Sequence, residues 1–375
     1  ENKREGSLIS VLDVTKTSMG GRTLRQWLLH PLHDKQQIEN RLDAVSEIQC
    51  DFSLKSKLPE ILAGILDLER LLSKVVIGSG NARDVLGIGI SLKAIDPTLE
   101  LLNESKCPLL KDLKEKLSEL GYIKNLRDAI LNSIVENPPL SVKDGEIIRD
   151  GVNVDLDELR QISREGKGFI QKLQEEEIAK TGINSLKIRY NSVFGYYIEV
   201  TKANIGNVPL HYTRKQTLVN AERYITPELK AFEEKVLGAE AKIKDLEYQL
   251  FLKIREQVRD VTREIQIAAR VFGSLDALLS FALIAEKNRY SRPVIKNAEE
   301  SLVIKNGRHP VVECLAAGQF VPNDVELGDD ANIILLTGPN MGGKSTYLRQ
   351  IALIVLMAHV GSFVPAERAV IGPLD

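Results

Sequence analysis

The chain has 375 residues, 43% of them apolar and 27% charged, with a formal net charge of −2. This length and apolar content suit a soluble, globular class with two or three domains, each burying its own core. A near-balanced charge excludes a globally basic binder of nucleic acid, so any such surface has to be local. The three cysteines, Cys50, Cys107 and Cys314, are far apart and form no C-x-x-C. That favours a reducing compartment such as the cytoplasm and argues against a zinc site. His30 and His33 are close, but no second cluster joins them. The longest fully apolar run, Ile351 to Ala358, is too short to cross a bilayer, so no membrane partner is expected. Because the chain begins at Glu1 rather than Met, a signal peptide is not readable. It reads as a piece of a longer protein.

Residues 7 to 150 show mostly helical periodicity, as in Leu58, Ile61, Leu62, Ile65, Leu68, Leu71 and Leu72. Breaks are expected at Gly78 to Gly80, at Asp96-Pro97 and at Asn137 to Pro139. A further helical segment begins at Asp155 and ends near Thr181-Gly182.

The pattern then alternates. In "SLKIRYNSVFGYYIEVTKA", Leu186, Ile188 and Tyr190 fall on one face and Lys187, Arg189 and Asn191 on the other, which predicts two strands turning near Ser192 to Gly195. Between Ser185 and Ile225, six basic residues stand against Glu199 and Glu222, a local net of +4. A small β island thus carries the positive charge that the whole chain lacks. Lys187, Arg189, Arg214 and Lys215 are its candidate contacts to a phosphate backbone; a solvated sheet face is the plainer alternative.

Thr226-Pro227-Glu228 has the capping hydroxyl and first-turn proline of a helix start. From Leu229 to Phe272 apolar residues recur at alternating steps of three and four, predicting one helix of about 45 residues. So long a helix needs a partner, and the segment from Asp155 to Lys180 is the antiparallel candidate, with the β island at the tip of the pair.

From Ser301 strand patterns return in "SLVIKNGRHPVVE" and "QFVPNDVEL", followed by "NIILLTGPNMGGKSTYLRQIALIVL". Ile333 to Leu336 read as a strand buried on both faces; Leu348, Ile351, Ala352, Val355 and Leu356 have helical spacing. Between them, Gly338 to Ser345 fit G-x-x-x-x-G-K-[ST] at every fixed position. Glycines let the backbone wrap phosphates, and the N–H groups at a helix start point at them. Lys344 would neutralise the β- and γ-phosphates, and the Ser345 hydroxyl would hold Mg²⁺. Gly338, Pro339, Asn340, Met341, Gly342, Gly343, Lys344, Ser345 and Thr346 are the candidate nucleotide-binding residues, with Lys344 and Asn340 the candidate catalytic groups. ATP and Mg²⁺ are the expected cofactors. No later apolar strand ends in an acidic pair, so this chain by itself is not expected to hydrolyse ATP.

The segments "GSLISVLDVTKTSMGGRTLRQWLLHPL", "DGVNVDLDELR", "YNSVFGYYIEVTK", "GRHPVVE", "FVPND", "TGPNMGGKST" and "VGSFVPAE" together resemble the MutS family of DNA mismatch-repair ATPases, over nearly the whole chain. The resemblance implies a mainly α fold with a small β clamp inserted in a long helical lever, followed by the start of an α/β phosphate-loop ATPase domain of ABC type. The implied boundaries are a helical core over 1–154, an outgoing lever helix over 155–181, a DNA clamp over 182–225, a returning lever helix over 226–290 and an incomplete ATPase domain over 291–375. It further implies a homodimer that encircles mismatched double-stranded DNA and recruits MutL, and adenine stacking by Phe320, which would otherwise read as a core residue. The family's mismatch reader has no counterpart in these residues, so this chain alone is not expected to recognise a mismatch. Two other readings stay open: a relative acting on branched DNA, and a structural coiled-coil ATPase. The second is disfavoured because such proteins place the phosphate loop before the coiled coil.

Overall fold

The computed structural model describes residues 6–191, 195–297, 302–315, 320–328, 333–339 and 342–372, with the side chains of 166 and 167 outside the description. The fold is mainly helical. In chain order come α1 (Leu8–Leu12), α2 (Ser18–Leu29), α3 (Lys35–Cys50), α4 (Phe52–Ala63), α5 (Leu68–Ile77), α6 (Ala82–Leu92), α7 (Ile95–Leu101), α8 (Pro108–Ser118), α9 (Ile123–Ser133) and α10 (Val154–Thr181). The strands β1 (Lys187–Asn191), β2 (Gly195–Thr201), β3 (Thr213–Thr217) and β4 (Ala221–Ile225) precede α11 (Pro227–Asp260) and α12 (Thr262–Asn288). Last are β5 (Val294–Ile295), β6 (Leu302–Gly307), α13 (Pro310–Leu315), β7 (Asn323–Leu327), α14 (Lys344–His359) and β8 (Arg368–Ile371). The chain divides into two compact units, one of 1–80, 84–131 and 257–375, the other of 81–83 and 132–256.

The first unit is organised around α12, whose buried Val271, Phe272, Leu275, Leu278, Leu279 and Phe281 are covered by α2, α3, α4, α5 and α8. By length and composition alone α12 is apolar enough to cross a membrane, but here most of it is buried inside the fold. Two polar groups interrupt its apolar surface. Asp276 accepts from the backbone N–H groups of Lys16 and Thr17 and from the Thr17 hydroxyl, and Ser280 donates to Leu12 O while accepting from Val14 N–H. They fix the chain entering α2. Beside these helices lies a mixed sheet in the order β5-β8-β6-β7, parallel only between β5 and β8.

In the second unit the four strands form an antiparallel sheet in the order β1-β2-β4-β3. Its inner face buries Leu186, Ile188, Ile198, Val200, Tyr212 and Tyr224 against Leu173 of α10 and Leu229 of α11. The expected hairpin is present, with Asn191 opposite Gly195, and the expected turn residues 192–194 lie outside the described residues. Lower down, the Glu247 carboxylate on α11 is buried and accepts from Arg160 Nη2 on α10 at 2.5 Å and from Ile147 N–H at 2.9 Å. Arg160 Nη1 also reaches Asp150 at 2.6 Å. A desolvated carboxylate with two partners ties both long helices to the 147–150 segment.

Three expectations are corrected. The apolar stripe from Leu229 to Phe272 lies on two helices, not one, because the backbone leaves helical geometry at Val261 (φ −111°, ψ 27°). Asp96 and Pro97 are not a break; they sit in the first turn of α7, where a proline costs no hydrogen bond. Residues 333–336 form no strand, and their side chains are exposed, Ile333 and Leu335 at 87% each. A strand buried on both faces needs a sheet to join and layers packed on both sides of it, and neither β5 nor β7, the edge strands of the mixed sheet, takes this segment up.

Candidate functional site

Helix α14 begins at Lys344 directly after Gly343, whose φ of 83° lies in the left-handed region that a side chain disfavours. Among the described residues no side chain caps this helix start, and N–H groups in a first turn without a cap can meet an anion. Upstream, Gly342 N–H donates to Pro339 O at 3.1 Å, closing a turn. The Lys344 ammonium folds back over that turn and donates to Gly338 O and, at 3.1 Å, to Pro339 O. Its charge therefore stands at the mouth of the helix start. Ser345 is exposed in the first turn and Thr346 half-buried behind it, so the hydroxyl expected to meet a metal faces outward. Asn340 and Met341, also expected here, lie outside the described residues. The described part of the loop has the free donors, the cation and the hydroxyl that a Mg²⁺-bound phosphate chain requires.

The helix itself was legible, but its buried face was not. Gln350, Ile354, Met357 and Ala358 are buried, whereas Leu348, placed on the apolar stripe, is 60% exposed. The reason is the same as for residues 333–336: α14 is apolar on more than one side, and the side facing β6 and α13 is among those covered. Gln350 is met by Asn323 Nδ2 at 3.3 Å, and Tyr347 OH donates to Asp324 O at 2.8 Å. These bonds hold the start of β7 along the first turns of α14. Phe320, three residues earlier, is half-buried in the approach to β7, neither a core residue nor a fully exposed one.

The four basic candidates on the small sheet are not brought together. Lys187 and Arg189 point outward from edge strand β1, while Arg214 and Lys215 belong to the opposite edge strand β3. Three strand spacings, about 14 Å, separate the two edges. Arg189 is 3.6 Å from Glu199, and Arg214 is 3.4 Å from Glu222, which also accepts from Tyr224 OH. Lys187 and Lys215 have no ion-pair partner among the described residues. Arg223, between the edges, lies over the Tyr197 ring at 4.3 Å and donates to Gln216 at 2.8 Å. Among the described residues no cluster of three or more His, Cys, Asp or Glu is arranged to hold a metal ion.

Sequence reasoning missed Asp276, Glu247 and Arg41, the last of which donates from Nη1 to Val360 O at 3.0 Å. Each is a charged residue inside a helical stripe, where periodicity marks it as surface; only its long-range partners reveal it.

A mainly helical protein with a β sheet set between two long helices, and an uncapped glycine turn at the head of a late helix, is the class that fold and site define. Residues 1–282 match MutS domain III and residues 334–375 match MutS domain V. The chain belongs to the MutS family. It is 51% identical to the DNA mismatch repair protein MutS of Halothermothrix orenii over 375 residues, covering 100% of this chain and 41% of that protein. Identity to the protein of the same description from Caldanaerobacter subterraneus subsp. tengcongensis is 50% over 372 residues, 99% of this chain and 42% of the relative. For that of Lactobacillus johnsonii it is 46% over 376 residues, 100% and 44%. The chain thus spans less than half the length of these relatives.

Proposed function

We propose that this chain supplies the helical core, lever, DNA clamp and leading part of the ATPase domain of a DNA mismatch-repair protein, with the domain boundaries given by its sequence. The whole protein, working as a homodimer in the cytoplasm, closes on mismatched duplex DNA and uses ATP to pass the signal to MutL. The observation that carries this reading is the uncapped start of α14 behind Gly343, with Lys344 over the turn, inside a chain whose family membership is shown. Gly338 to Gly343 would wrap the phosphates, Lys344 would offset the charge on the β- and γ-phosphates, and Ser345 Oγ would hold Mg²⁺. The ion, when bound, neutralises charge developing on the transferred phosphoryl. Phe320 lies on the segment held along α14 and stacks on the base. Lys187 and Arg189 meet duplex phosphates from one edge of the clamp, and Lys215 with Arg214 from the other.

The test is fluorescence anisotropy on the full-length protein with matched, single-mismatch and four-way-junction DNA, with and without ATP. Tighter binding to the mismatch, weakened by ATP, is expected. Preference for the junction would move the assignment to the branched-DNA reading, and equal binding to matched and mismatched duplex would remove the mismatch reading.

A further inference from the structure

The two ends of α14 are treated differently by the fold. Its N-terminus is open, whereas its C-terminus is closed partly by its own chain and partly by the helical core. Gly361 (φ 81°) and Ser362 return N–H groups to Ala358 O and Met357 O at 2.9 Å each, a left-handed glycine cap. Two further carbonyls are met from the segment after α2 and from α3. Leu32 N–H donates to His359 O at 3.0 Å, and Arg41 Nη1 donates to Val360 O at 3.0 Å. The ring of His359, itself buried, lies 3.0 Å from Leu32 O through Nδ1. Arg41 has no carboxylate partner among the described residues. Its guanidinium carbon lies over the Trp27 ring at 3.8 Å, and its stem packs on Gly361, where a Cβ would stand 2.4 Å from Arg41 Cβ. Burial without a counter-charge pushes its pKa down, to about 10, so it remains a cation at neutral pH. The sole tryptophan, a cation and a glycine thus hold the negative end of the helix whose positive end faces the phosphates.

The geometry points to Arg41 as a positioning residue for the nucleotide: through Val360 it fixes α14 on the helical core, so that phosphate binding at Lys344 and the seating of Arg41 on Trp27 are felt in each other. This rests on the nucleotide reading given above. A rigid helix seated at one end transmits a displacement at the other, and by linkage the coupling acts in both directions.

The experiment is hydrogen exchange on the 375-residue chain with and without Mg²⁺–ADP, beside titration of a fluorescent ADP analogue into wild type, Lys344→Ala, Arg41→Met and Gly361→Ala. The last variant crowds Arg41 without removing it, and stands in if Arg41→Met does not fold. Mg²⁺–ADP is expected to slow exchange at Leu32 and Gly361 as well as in the first turn of α14, and Arg41→Met to weaken the analogue about fivefold, the low end of typical coupling, while losing the distant protection. A purely structural role would loosen α2 and α3 equally with and without nucleotide. The inference is overturned if Mg²⁺–ADP protects 342–348 but leaves Leu32 and Gly361 unchanged in wild type, or if the folded variants bind as tightly as wild type. Wild-type binding no better than Lys344→Ala would remove the nucleotide reading itself, and this coupling with it.

Discussion

A Cβ added to Gly20 would lie 2.1 Å from Asp276 Oδ2. Asp276 has no room to retreat: it is fully buried, and it accepts from Thr17 N–H and the Thr17 hydroxyl at 2.7 Å each and from Lys16 N–H at 2.9 Å. Thr17 Oγ1 in turn accepts from Gly20 N–H and caps α2. Gly20→Ala is therefore expected to destabilise the first unit by about 1–3 kcal/mol, the usual cost of overpacking. Trp27, the only tryptophan, sits on the same helix and reports the transition in urea. An unchanged midpoint would mean that the Asp276 network yields more readily than its donors imply.

A pH dependence follows from the carboxylates under the clamp sheet. Burial pushes the Glu177 carboxyl up, but donation from the Tyr212 hydroxyl and the Lys180 ammonium outweighs it and leaves the group below its ordinary 4.5. A depressed folded-state value gives stability that is complete above about pH 4.5 and lost as pH falls through the folded value. The tyrosines have the opposite sign. Burial and Glu222 raise Tyr224 to about 12, and burial and Glu177 raise Tyr212 further, so their contribution holds below the ordinary 10 and is lost as pH climbs past it. Near-ultraviolet circular dichroism should show the clamp losing order on both limbs, with Glu177→Gln flattening the acid one. Phenolate absorbance rising in one step at the ordinary tyrosine value would contradict this.

The sheet edges make separable predictions for DNA. Removing one cation that neutralises a phosphate should lower the slope of log affinity against log salt by about 0.9. Lys187→Ala with Arg189→Ala is expected to lower it by about 0.9 to 1.8, according to whether one or both side chains meet a phosphate. Lys215→Ala should act similarly on a smaller scale. Arg214→Ala is expected to lower the slope likewise and, because Arg214 is 3.4 Å from Glu222, also to loosen the sheet. Wild-type affinity and slope in the β1 double variant would leave the clamp assignment without support.

Much of this fold was legible because local signals agreed with tertiary ones. The alternation through Ile188 and Arg189 gave β1 and β2, and Thr226 caps α11 by accepting from Leu229 N–H. The break at Val261 was not legible, since Val258, Val261 and Ile265 continue the same stripe. Nor was the exposure of residues 333–336: an apolar β-branched run records what it packs against in a complete sheet, and says nothing of whether those neighbours are beside it. Of the candidate site, the turn and Lys344 were readable from spacing. The seat of α14 on Arg41 and Leu32 was not, because it joins residues more than 300 positions apart.

The central claim is that phosphates are held at the start of α14. Titrating a fluorescent ADP analogue with Mg²⁺ into the 375-residue chain, wild type against Lys344→Ala, tests it, with phosphate release from ATP followed in parallel. Saturable binding by wild type that Lys344→Ala abolishes is predicted, without turnover above that variant. Equal signals from both proteins would contradict the claim.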